Sequence, residues 1–544
     1  MTNDPENNSP EATAVEEKGK EKTLKVIKTL VGNLLLLCLA IVLVVFIYGT
    51  WQLKDRHPDI PFELNAIHSE GAIKAGFAAL PINPKYYDSW IDQNENGSFE
   101  EGTDLYIDLN DNGKFDAVWM AGFHSSRPIN SIHDTLLASA MVLEVGDKSV
   151  GLLSLDIIGL GNDQCWEIRK RVLEKTGIDH VYIISTHNHE GPDLIGLWGN
   201  NKYKSEVNPE YLKYLIDQSV QSLSLAFQSR QLARITLAAD SSSAIGLLQD
   251  TRPPYVVDPM INILQARSIG NDHVLGTVVN WSNHVETLWD QNLSLTADFV
   301  HYLREGISEG VADSMNTIVP KQGGVTLFIP SSIGGLMTTS LELSIKNPLT
   351  RSFHTKPSFD KAKAQGYALA KIVYESLSAD HNQRFFHTTL HSYQQPIELP
   401  LENIEFRLGA YLGLIDRGMT GWMQVRSEIG LWQLGPASFV HVPGELYPEI
   451  AIGGVEEPAN ADFPNQALEV PALKDAMPGE HRWLVGMSND MIGYIIPRSQ
   501  WDAESPYTYE QDDAPYGEVM SLGPQTAPKI HAALLSLMSQ ADVE

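Results

Sequence analysis

Cysteine is nearly absent: Cys38 and Cys165 are the only two in 544 residues. Cys38 lies inside an apolar run, so no intrachain disulfide framework is expected. Basic charge is also scarce, with 39 Lys and Arg against 68 Asp and Glu and a net charge of −29. Nucleic acid is thereby excluded as a partner, because its phosphates require a positive surface. Electrostatic attachment to anionic lipid is disfavoured for the same reason. No fixed-period repeat and no low-complexity linker divides the chain beyond residue 70, so one large unit is expected there.

What the chain does have is one long uncharged run. From Thr29 to Leu53 there are 25 residues without a charge, centred on Leu34–Ile47. At about 1.5 Å rise each they span the ~30 Å hydrocarbon core of a bilayer. Lys18, Lys20, Lys22, Lys25 and Lys28 precede the run, which puts the N-terminus in the cytoplasm and everything after Lys54 on the far side. The rival reading is a cleaved signal peptide. The run is long for one, and no small-x-small site follows Tyr48-Gly49-Thr50-Trp51. The expected organisation is a cytoplasmic tail at 1–28 (unstructured over 1–23), a transmembrane signal anchor at 29–53, a linker at 54–70 and a catalytic domain at 71–544.

Within 71–544 the pattern is α/β. Residues 138–160 read as a hairpin about Gly146-Asp147, 163–175 as a helix and 180–185 as a buried strand. Helices are expected at 211–227 and 362–378, and strands at 274–281, 325–329 and 429–442. Strand–helix–strand order places a site at the strands' C-terminal ends.

Four short segments carry side chains that a zinc ion accepts. They are Thr186-His187-Asn188-His189-Glu190-Gly191-Pro192, Asn280-Trp281-Ser282-Asn283-His284, Pro443-Gly444-Glu445 and Gly493-Tyr494. Taken singly each has a plain structural reading: loop histidines, a core histidine beside Trp, a solvated turn carboxylate, a core tyrosine. It is the set that points to a metal. Two further segments, Asp92–Glu100 and Asp108–Asp116, both fit D-x-N-x-N-G-x-F-[DE]. Asp92, Asn94 and Asn96, then Asp108, Asn110 and Asn112, alternate oxygens before a Gly, as hard calcium ions require. Thr103 and Trp119 stand at the twelfth positions, so no EF-hand glutamate is present. A pair of Asx turns is the alternative. These loops lie in an insertion-like segment at 90–118.

The four segments resemble, in order, those of the neutral ceramidases, zinc-dependent amidases that cleave the N-acyl bond of ceramide. The likeness covers most of 70–530. That family's Thr-His-Thr-His-Ser-Gly-Pro resembles Thr186–Pro192, its Asn-Trp…His resembles Asn280–His284, its Val-Pro-Gly-Glu-Phe resembles Val442–Leu446, and its Ser-Asn-x-Tyr-x-Gly-Tyr resembles Ser488–Tyr494. Leu522-Gly523-Pro524-Gln525-Thr526 likewise resembles its Gly-Pro-His-Thr. The resemblance implies a large mixed-sheet zinc hydrolase domain, Zn2+ held by His187, His284, Glu445 and Tyr494, and a lipid amide as substrate. His189 and Arg252, the latter in Thr251-Arg252-Pro253-Pro254, would orient that substrate. The family's nucleophilic serine aligns with Thr338 in Ser332–Ser340. Three roles stay open for it: Thr338 is the nucleophile, a metal-activated water attacks instead, or Thr338 only packs. The chain ends about twenty residues past Pro524, which implies that the family's C-terminal immunoglobulin-like domain is lacking. Two other functions stay open: a metal-hydroxide hydrolase of a different ester or amide, and an inactive anchored binding protein.

Overall fold

The computed structural model describes residues 10–58, 60, 66–201, 204–415, 417–464 and 466–541. Helix α1 runs Pro10–Gln52. It takes in the apolar run and also the lysine-rich stretch before it, where the composition points instead to an unstructured tail; residues 1–9 lie outside the described residues. Alanine, Glu and Lys are good helix formers, and a helix already nucleated by the apolar run extends without a second nucleation cost. Side chains from Leu34 to Ile47 are exposed all round the helix, which suits a lipid-facing helix and not one buried in the core of this domain. By length and composition the segment Glu17–Gln52 is a candidate membrane span.

Strand β1, Ile67–Pro81, begins inside the stretch expected as linker, of which residues 59 and 61–65 lie outside the described residues. Strands β2, Leu137–Val145, and β3, Lys148–Leu155, form the expected hairpin, with Gly146 at φ +61 in its turn. Then come α2 (Asn162–Thr176), β4 (His180–Ser185) and α3 (Pro209–Gln228). Asn208 caps α3 by accepting from the Glu210 and Tyr211 N–H groups. The chain continues through β5 (Gln231–Asp240), β6 (Ile261–Ser268), β7 (Val274–Trp281), α4 (Asp298–Ser308), β8 (Val325–Pro330) and α5 (Phe359–Leu377). It ends with β9 (His387–Pro400), α6 (Ile404–Leu412), β10 (Gln424–Leu434), β11 (Ala437–His441), β12 (His481–Val485) and α7 (Thr526–Ala541). The single strand expected over 429–442 is in fact the β10–β11 hairpin. Gly435, at φ +54, and Pro436 turn the chain between them.

The main sheet runs β8-β7-β6-β5-β1-β9-β10-β11-β12, with β2, β3 and β4 branching from β1. Residues Ile67–Ala72 of β1 pair with β9, while Ile73–Pro81 pair with β2. One strand thus joins two arms of the sheet. Their facing sides enclose Tyr182, Ile184, Leu264, Val278, Leu327, Ile329 and Trp432, none more than 1% exposed. Burying each aliphatic member contributes about 1.5–3 kcal/mol. Helix α3 covers β1 and β2, and α4 packs with α5 against β8 and β5.

Within the large sheet three strand pairs are parallel: β3–β4, β7–β8 and β11–β12. Parallel neighbours send their C-terminal ends to the same edge. The segments bearing His187, His284, Glu445 and Tyr494 follow β4, β7, β11 and β12 in turn, and Thr338 follows β8. Through the antiparallel steps between these pairs, β7, β8, β11 and β12 share one direction and β4 runs the opposite way. The end of β4 joins the others where Ile184 bridges Ser488 and Asn188 bridges Val285.

Candidate metal centre

His187 follows β4 after Thr186 and has φ +62, a left-handed conformation unusual for a side-chain-bearing residue. Its Nδ1 lies 2.9 Å from the Ile158 carbonyl. His284 is held the same way, with Nδ1 2.8 Å from the Met337 carbonyl. In each ring a backbone acceptor takes the Nδ1 proton, leaving the Nε2 lone pair to face the interior. Both Nε2 atoms converge on Glu445, whose Oε2 lies 3.4 Å from His187 and 3.1 Å from His284. All three residues are buried.

Two glycines permit this approach. A Cβ at Gly444 would lie 2.4 Å from the Gly493 carbonyl, and one at Gly493 (φ +77) would lie 1.8 Å from the Met520 carbonyl. Without side chains, the Pro-Gly-Glu and Gly-Tyr loops pair in parallel and place Glu445 beside Tyr494. Asn489 anchors the second loop: its Oδ1 accepts from the Ile183 N–H at 2.8 Å and its Nδ2 donates to Glu428 at 2.7 Å.

The carboxylate and the imidazoles stabilise one another's charge in this buried setting. Burial would raise the Glu445 carboxyl, yet His187 and His284 hold it down at about 2. Burial would lower His284, yet Glu286 and Glu445 hold it up at about 9. Burial, and then Glu445, push the Tyr494 phenol well above its usual value. Two imidazole nitrogens and a carboxylate oxygen with fixed outer partners fit zinc. His189 is the third imidazole: the ligand atoms of His187, His189 and His284 all lie within 4.8 Å of one another.

These groups line one end of a largely apolar cavity of about 360 Å³. Its other lining includes Phe123, Trp198, Leu401, Phe406, Ile492 and Met520.

The chain has the fold of a neutral ceramidase. Neutral ceramidase from Pseudomonas aeruginosa matches with a TM-score of 0.59 and 15% identity, over 86% of this chain and 75% of that one. A ceramidase complexed with C2 matches with a TM-score of 0.59 and 14% identity over the same shares. No protein-family model matches the sequence, and neither does any curated protein.

On this ceramidase fold, the structure brings His187, His189, His284, Glu445, Tyr494 and Thr338 to one cavity. Thr338 is buried, and its hydroxyl has no hydrogen-bond partner among the described residues. Arg252 is placed elsewhere. It donates to Glu518 at 2.6 Å and to the Gln500 carbonyl at 3.2 Å, and lines an adjoining cavity that shares Thr251, Leu336 and Tyr516 with the first.

Two residues at the site are not marked by any of the motifs. Glu286 lies on the His284 loop with Oε2 3.1 Å from His189 Nδ1; a second carboxylate two residues past a ligand was the available signal. Gly122 packs against the His189 ring, and nothing in its sequence context distinguishes it.

In the 90–118 segment, Asp92 accepts from the Gly97 N–H at 2.8 Å and Asp108 from the Gly113 N–H at 2.7 Å. Asn94 and Asn96 turn to Glu100, and Asn110 and Asn112 turn to Asp116. Both loops thus fold alike, and in each the Asp and Asn side-chain oxygens accept from backbone N–H groups as in Asx turns.

Proposed function

We propose that this protein is a membrane-anchored, zinc-dependent amidohydrolase that cleaves an N-acyl lipid amide of ceramide type. The observation that carries this reading is the meeting of His187, His284 and Glu445 at the polar end of an apolar cavity. The polar end suits an amide carbonyl and the apolar wall an acyl chain. His187, His284, Glu445 and Tyr494 would hold the ion. The chemistry supplied by zinc there is Lewis-acid polarisation of the scissile carbonyl.

Water is the nucleophile in this reading. The His189 Nε2 has no hydrogen-bond partner among the described residues, and in this reading it accepts the water proton. Glu286 at 3.1 Å then stabilises the imidazolium. The same proton goes on to the leaving amine. Thr338 carries an unpartnered hydroxyl with no base bonded to it, which favours substrate positioning over attack. Zinc dependence is tested by hydrolysis of a panel of N-acyl amides with and without chelator. Release of fatty acid only from metal-replete protein supports the reading; equal release in chelator sinks it.

The anchor reading places α1 across the bilayer with the N-terminus in the cytoplasm, supported by the five lysines before Leu30. The two Asx loops are proposed to hold structural calcium through Asp92, Asn94, Asn96, Asp108, Asn110 and Asn112.

A further inference from the structure

Helix α6, Ile404–Leu412, separates two apolar environments. Phe406 and Ala410, one turn apart, line the cavity that ends at the metal centre. On the opposite face Ile404, Leu408 and Leu412 follow one another at i, i+4 and i+8, with exposures of 69%, 57% and 47%. Trp422, in the tight turn between the short strand Met419–Gly421 and β10, is 67% exposed. A continuous apolar stripe of this kind on a folded domain marks a contact surface.

The position of α6 identifies the occupant. The helix packs on the last turns of α1. The Tyr48 hydroxyl donates to the Leu412 carbonyl at 3.3 Å, and Gln52 Nε2 donates to the Tyr48 hydroxyl at 2.7 Å. Gly49 allows the Tyr411 ring to lie against the α1 backbone: a Cβ there would come within 2.0 Å of it. Tyr48 and Trp51, exposed near the end of the 25-residue run, are the aromatic residues that settle at the headgroup level. The stripe therefore sits at the depth where the anchor leaves the bilayer.

We propose that the outer face of α6, with Trp422, beds into the leaflet on the catalytic side, and that its inner face passes a bilayer-resident amide into the cavity without release to water. The inference rests on the membrane anchoring proposed above. Apolar contact, not charge, drives the docking, as suits a chain of net charge −29.

The test uses the full chain in vesicles of zwitterionic lipid, with an environment-sensitive thiol label and nitroxide-bearing lipid as quencher. Cys38 is exposed on α1 and Cys165 is buried, so the unaltered chain carries its label on the anchor. Two variants move it, Cys38→Ser/Leu408→Cys and Cys38→Ser/Met315→Cys; Met315 is 86% exposed on the domain. Labels on Cys38 and at position 408 should each lose about half their emission or more, and the label at 315 should lose little. Quenching on Cys38 but not at 408, or equal quenching at 408 and 315, overturns the docking while leaving the anchor. Quenching at neither Cys38 nor 408 overturns both. Separately, Leu408→Glu should lower turnover of a long-chain amide in vesicles about tenfold and spare a short-chain, water-soluble amide. Equal loss on the two substrates, or no loss on either, counts against direct uptake from the bilayer.

Discussion

Replacing Gly122 by Ala should disable the proposed chemistry without touching a metal ligand. A Cβ at Gly122 would lie 2.4 Å from His189 Cγ and 2.5 Å from its Nδ1. Carbon atoms rest about 3.5 Å apart, so the ring must withdraw by about 1 Å. A displacement of that size from a reactive geometry costs about 10²-fold in rate, or about 2.7 kcal/mol of barrier. The substitution carries a backbone penalty as well, because Gly122 has φ +102 and Ala there is strained by about 1–3 kcal/mol. Gly102→Ala isolates that penalty: Gly102 has φ +87, and a Cβ there would meet nothing within 4 Å. The assay is initial-rate hydrolysis of a long-chain N-acyl amide, with zinc content measured on the same samples. The expected result is a fall of about 10²-fold in kcat/KM for Gly122→Ala, unchanged zinc, and near-normal rates for Gly102→Ala. Rates within about threefold of each other for the two variants would refute the role given to His189.

Glu445→Ala should leave purified protein without stoichiometric zinc, since His187 and His284 lose the carboxylate they share; full zinc occupancy would contradict the assigned ligand set. Thr338→Ala should keep activity within about tenfold, because no base activates that hydroxyl; an acyl adduct on Thr338, trapped by rapid quench and seen by mass spectrometry, would show that it attacks. Millimolar calcium should raise the Tm of chelator-treated protein through binding to the native state, and Asp92→Ala/Asp108→Ala should abolish the rise; no rise in the parent chain removes the calcium proposal. Burial holds His441 down at about 3, so between about pH 6.5 and 3 the unfolded chain takes up a proton that the native chain refuses, and stability falls on acidification by about 1.4 kcal/mol per pH unit. His441→Gln should flatten the dependence of Tm on pH between about 7 and 5, and an unchanged slope would count against that burial.

The parts of this molecule that are legible in the sequence are those in which a local pattern carries its own physics. The β2–β3 hairpin is visible because Gly146-Asp147 interrupts alternating residues, and β4 because its apolar run ends abruptly at Thr186-His187. The β10–β11 turn is hidden because Ile429–Val442 alternates like one strand on both sides of Gly435-Pro436, so the pattern carries through the reversal. The tail misleads for the opposite reason. Composition alone reads 10–23 as solvated coil, while the cooperativity of the helix that follows extends order into it. At the candidate centre, the segments holding His187, His284, Glu445 and Tyr494 can be picked out because each couples a donor to a turn. Their convergence cannot be read from any one of them; it follows from two parallel strand pairs that share a direction, and from the Ile184–Ser488 and Asn188–Val285 bridges that join the end of β4 to them. Arg252 shows where such reading stops. Its motif is local, but its partner Glu518 lies 266 residues away, and that ion pair sets the guanidinium in the adjoining cavity. The outer face of α6 is a similar case. Ile404, Leu408 and Leu412 look like an ordinary core stripe until the fold shows that Phe406 and Ala410 have already taken the inner side.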